Sequence, residues 1–97
     1  MKAAKAQWRG AVLVCAKCSK KAGGGFGKGG NRALAKELRR EAGFGKGRKA
    51  ATGVVEVRCL GVCPKDAVVV VDTRAPGRWR LVRPGADVAA LAAELRG

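Results

Sequence analysis

The chain has 97 residues, with 21 Lys and Arg against 7 Asp and Glu, a formal net charge of +14, four cysteines and no histidine. That length supports one small domain over 1–97, with 1–6 expected as a flexible lead-in. Without histidine there is no histidine general base, no Ser-His-Asp triad, no Cys-His dyad and no His-ligated metal, so metal chemistry falls to cysteine or carboxylate.

In chain order, Trp8 to Cys15 reads as a strand, because Ala11, Val12, Leu13 and Val14 form a continuous apolar run. Cys15 to Gly30 reads as a loop. Asn31 is the expected N-cap of a helix reaching Ala42, with Leu34, Ala35, Leu38 and Ala42 as its apolar stripe and Gly43 ending it. Lys36, Arg39 and Arg40 then face water. Val54–Arg58 and Ala67–Val71 are the next strands, and Arg74 to Gly77 is a turn. Trp79 to Arg83 alternates at period two, as a half-buried strand does, with Trp79 read as a packing residue. Pro84 to Asp87 opens a last helix whose Val88, Leu91, Ala92 and Leu95 share one face. The order is β-α-β-β-β-α: an α/β (α+β) domain with a small mixed sheet, two helices and a parallel βαβ start.

Charge and glycine are both uneven. Residues 1–50 carry 14 Lys and Arg against Glu37 and Glu41, a net of +12, whereas 51–97 carry a net of +2. The string Gly-Phe-Gly-Lys-Gly occurs at 25–29 and again at 43–47, as two flexible loops bracketing one helix. The first also spells G-x-G-x-x-G. It stands too far from the preceding strand for a dinucleotide turn, and neither Lys28 nor Lys46 precedes the Ser or Thr of a P-loop.

The cysteines form two close pairs, Cys15-x2-Cys18 and Cys59-x3-Cys63, each following a predicted strand. If those strands are parallel neighbours, both pairs emerge at one end of the sheet. No signal peptide and no membrane span is evident, so the chain is expected in the cytoplasm. There, paired cysteines point to a metal or a redox couple rather than to structural disulfides. Zinc, a [2Fe–2S] cluster and a thiol/disulfide couple all accept thiolates, and spacing leaves the three open. A thioredoxin-type redox pair ordinarily opens a helix, which the expected loop after Cys18 does not provide.

The segment Val55-Glu56-Val57-Arg58-Cys59-Leu60-Gly61-Val62-Cys63-Pro64, the valine strand after it, Trp79, Pro84 and the closing helix resemble the thioredoxin-like [2Fe–2S] ferredoxins over about residues 10–96. The resemblance implies a thioredoxin-like fold, one [2Fe–2S] cluster on Cys15, Cys18, Cys59 and Cys63, and electron transfer without catalysis. The Cys15–Cys18 gap is shorter than the family's usual spacing. Gly61 would let the backbone approach the cluster or simply form a turn. Lys17, Lys20, Lys21, Arg39 and Arg40 are the expected docking residues for an acidic redox partner. The alternative is a zinc-stabilised basic module that binds nucleic acid. The sequence leaves a homodimer open.

Overall fold

A computed structural model describes residues 2–21, 23, 25–58, 61 and 67–96. Its strands are β1 (Gly10–Cys15), β2 (Phe44–Gly45), β3 (Thr52–Val57), β4 (Val68–Asp72) and β5 (Trp79–Val82). Its helices are α1 (Ala16–Lys21), α2 (Leu34–Arg39) and α3 (Val88–Arg96). The strands form one mixed sheet in the order β2-β3-β1-β4-β5. β2, β3 and β1 run parallel, while β1–β4 and β4–β5 are antiparallel. The mixed α/β class and the parallel β1–β3 pair agree with the sequence reading, but the described residues form three helices rather than two, and β2 is a further strand.

Register partners share a face of the sheet. Val12, Val14, Val54, Val68, Val70 and Val82 therefore lie together, and all are buried. Leu34, Ala35 and Leu38 of α2 and Leu91, Ala92 and Leu95 of α3 complete the core with them. Of the stripe expected of the last helix, Leu91, Ala92 and Leu95 are buried in α3 and Val88 is partly buried against the core. Removing these branched side chains from water is the main force that closes so small a domain.

The middle helix is shorter than its sequence pattern. It starts at Leu34 with Ala33 as N-cap, not Asn31, and Ala33 makes no side-chain cap bond. The Arg32 N–H donates to the Phe26 carbonyl at 2.9 Å and the Phe26 N–H to the Arg32 carbonyl at 3.1 Å. That extended pairing holds Arg32 out of a helical conformation. At the other end Ala42 is exposed, outside the helix.

The two Gly-Phe-Gly-Lys-Gly loops do bracket α2, and each buries its phenylalanine while exposing its lysine. Phe26 is fully buried. Phe44 opens β2, and the Arg96 guanidinium lies 5.2 Å from its ring centroid while Nε and Nη2 donate to the Ala42 carbonyl. Arg96 thereby ties the end of α3 to the second loop. The N-terminal segment is anchored too. The Gln7 and Arg9 N–H groups donate to the Arg48 and Ala51 carbonyls, each at 2.7 Å.

β5 corrects a sequence expectation. Trp79 is 41% exposed and Leu81 56%, whereas Val82 is buried. Pairing with β4 sets this, because Val68 stands opposite Val82 on the helix-covered face and Val69 stands opposite Leu81 on the other. Trp79 is thus not a core residue. Its Nε1 donates to the Pro76 carbonyl at 2.8 Å.

Candidate metal centre

Cys15 is the last residue of β1, and its register partner is Val57, the last residue of β3. Both strands run the same way, so the chain leaves them at one end of the sheet. Cys59 is the second residue beyond Val57 in the sequence. Cys59 and Cys63 themselves lie outside the described residues.

The chain turns from Cys15 directly into α1, where the sequence pattern suggested a loop. Six residues of Ala, Lys, Cys and Ser carry no readable helical period, but Ala and Lys favour the helix and Cys18 and Ser19 give it an inner side. Cys18 therefore sits in the first helical turn, three residues after Cys15. Both cysteines are buried, at 0% and 5% exposure. The helix removes the objection that the loop raised to a thiol pair of the redox type.

Next to Cys18, the Ser19 side chain is buried, and its Oγ has no hydrogen-bond partner among the described residues. Ser19 lines a hollow of about 330 Å³ with Ala16, Lys20, Asn31, Ala33 and Glu56. Gly61 adopts φ +87° and is exposed, a conformation that side chains other than glycine rarely take. Among the described residues no three Cys, Asp or Glu side chains gather as a metal-holding group.

The basic residues expected to dock a partner divide into two kinds. Lys17 and Lys20 are exposed on α1, and Lys21 ends that helix. Arg40 is exposed and lies 3.6 Å from the buried Glu37 carboxylate, which also receives Arg32 at 3.2 Å. Arg39 is half-buried, and its Nε and Nη2 donate to the Val54 carbonyl at 3.2 and 3.0 Å. β2 pairs with β3 only as far as Gly53, so Arg39 serves the next carbonyl of that strand. This duty was not visible in the sequence, where Arg39 looked like a solvated charge.

With Phe26 and Phe44 both buried, the basic first half offers neither as a stacking surface for bases. No helix among the described residues is long and apolar enough to cross a membrane. No family model, no curated protein and no solved structure matches this chain.

Proposed function

We propose that this protein is a small electron carrier holding one [2Fe–2S] cluster on Cys15, Cys18, Cys59 and Cys63. The carrying observation is the alignment of Cys15 with Val57. It sends the two chain segments that bear the cysteine pairs away from the same end of adjacent parallel strands. The donor set suits the group: soft sulfur ligands in two pairs match two irons that each take two thiolates. Cys15 and Cys18 fit as one pair, being close in the chain and shielded from water. When bound, such a cluster takes up and gives back one electron. The chain supplies sulfur ligands, burial and a basic approach surface, and no acid or base is needed. The thioredoxin-like arrangement belongs to the same proposal, supported by the parallel β1–β3 pair followed by the antiparallel β4 and β5.

Lys17 and Lys20 are exposed on the helix that carries Cys18, which suits an acidic redox partner drawn in electrostatically. A cytoplasmic setting accompanies this reading.

One observation favours a second reading, a dithiol/disulfide couple at Cys15 and Cys18: α1 begins at Ala16, so the pair opens a helix. One preparation separates the readings. Protein purified without oxygen is expected to be red-brown, with two irons and two sulfides per chain and visible absorption that bleaches on reduction. Colourless protein with two thiols that oxidise reversibly to a disulfide supports the couple instead. Colourless protein holding one zinc per chain overturns both.

A further inference from the structure

β5 is the last strand of the sheet, and its outer edge pairs with no described strand. Unpaired strand edges are templates for another strand, and proteins ordinarily blunt or cover them. Here the edge borders a groove of about 540 Å³. One wall is β5 with its flanking Arg78 and Arg83. The other is α3 with its lead-in, including Asp87, Ala90, Leu91 and Glu94.

Three observations on β5 define what would fit. Trp79 and Leu81 are the exposed large hydrophobic residues among the described residues, and they share one face of the strand. Arg80, between them, belongs to the opposite face and lines the groove. Its Nη1 is buried, with no acceptor among the described residues. A buried guanidinium N–H without an acceptor is costly, and a carboxylate is its best partner.

We propose that the β5–α3 groove binds an extended peptide segment of another protein, added as a sixth strand. Its side chains would read apolar–acidic–apolar, with the acid meeting Arg80 and the apolar pair covering Trp79 and Leu81. Main-chain bonds to β5 hold the strand, and the alternate side chains select it. The small Ala90 leaves room on the helix wall. Asp87 already accepts the Ala90 N–H at 3.2 Å, and Glu94 faces the groove from α3, so one acid fits where a run of acids would be repelled. A second copy of this chain is the poorer occupant. Residues 78–83 hold no acid for Arg80, and the pairing would bring together two chains of +14 each.

The inference does not rest on the metal centre, and its test runs equally on the Cys59→Ser chain. Two capped seven-residue peptides with the same Val and Thr pattern, one with a central Glu and one with a central Lys, are titrated into the isotope-labelled full chain. The amide shifts are followed by NMR, with sedimentation in parallel. The Glu peptide is expected to move the amides of residues 79–82 and 90–94 and to bind at least about tenfold tighter than the Lys peptide. Arg80→Gln removes a guanidinium whose buried Nη1 has no acceptor among the described residues, and the variant should fold normally. It is expected to erase the difference between the peptides while leaving weak binding at the same amides. Equal binding of both peptides to the parent chain overturns the proposal. So do shifts confined to other surfaces, and so does a self-associated dimer that buries β5 and that neither peptide displaces.

Discussion

Cys15 and Val57 stand side by side as the final residues of two parallel strands, and this pairing ties the first cysteine pair to the segment that carries the second. A parallel pair needs a long crossover, and the 36 residues between β1 and β3 supply one through α1 and α2. The crossover also sets the exposed Lys17 and Lys20 of α1 on the same short helix as Cys18.

Single cysteine variants separate the two redox readings. Cys15→Ser and Cys18→Ser are expected to abolish both a cluster and a dithiol couple. Cys59→Ser and Cys63→Ser are expected to abolish only the cluster, leaving two thiols that still cycle with a disulfide. Iron content, the visible spectrum and thiol counts after oxidation and reduction read each outcome. A normal spectrum in Cys63→Ser would sink the cluster assignment.

The exposed lysines of α1 should govern encounter rather than cofactor retention. Lys17→Glu combined with Lys20→Glu is expected to slow reduction by an acidic electron donor about tenfold at low salt, with an unchanged spectrum. The difference should shrink as ionic strength rises and the Debye length falls to about 10 Å at 0.1 M. Stopped-flow rates at several salt concentrations measure it. A salt-independent rate would remove the electrostatic role.

Arg39 and Arg40 are neighbours in the sequence with different duties. Arg39 holds the Val54 carbonyl beyond the reach of β2, whereas Arg40 makes a long contact from an exposed position. Arg39→Gln is expected to destabilise the fold by about 1 kcal/mol, because a polar group at the sheet edge loses its partner. Arg40→Gln should be close to neutral in stability. Urea unfolding of both variants compares them directly.

Much of the fold was legible because burial imposed a period. The valines of β1, β3 and β4 read as strands, and α3 displayed its Leu91, Ala92 and Leu95 stripe. What escaped was set by contacts between distant residues or by segments too short to carry a period. α1 has six residues and β2 has two. The alternation of Trp79 to Val82 revealed two faces, but only the pairing with Val68 and Val69 decided which one met the core. The helix was expected to begin at Asn31 because an Asn there satisfies the capping rule, and the Phe26–Arg32 pairing overrode that rule. At the cysteines, spacing identified the donor groups, while the helix that receives Cys18 came from tertiary packing.

Ser19 gives a prediction with two readouts. Its hydroxyl is buried beside Cys18 without a partner among the described residues, so it costs stability in the chain without a cofactor. Ser19→Ala is expected to stabilise that chain by about 1 kcal/mol on thermal unfolding. In the loaded protein, a hydroxyl donating to a cluster sulfur favours the more negative, reduced state. Ser19→Ala is therefore expected to lower the reduction potential, measured by redox titration. A lowered stability without cofactor, together with an unchanged potential, would assign Ser19 a purely structural role.

Gly53 is buried in β3, and a Cβ there would collide with the Trp8 indole, whose Nε1 donates to the Gly47 carbonyl at 2.8 Å. The backbone at Gly53 is not in the left-handed region, so alanine is opposed by the indole and not by its own geometry. Gly53→Ala should therefore displace Trp8 and cost about 1–3 kcal/mol, as overpacking does. With Trp8→Ala already made, the obstacle is gone. The same substitution then places a better residue than glycine inside a strand and should stabilise by about 0.5 kcal/mol. Denaturant unfolding of the two single variants, the double variant and the parent closes the cycle. A cost for Gly53→Ala that is the same in both backgrounds would show that the indole does not lie over this glycine in solution.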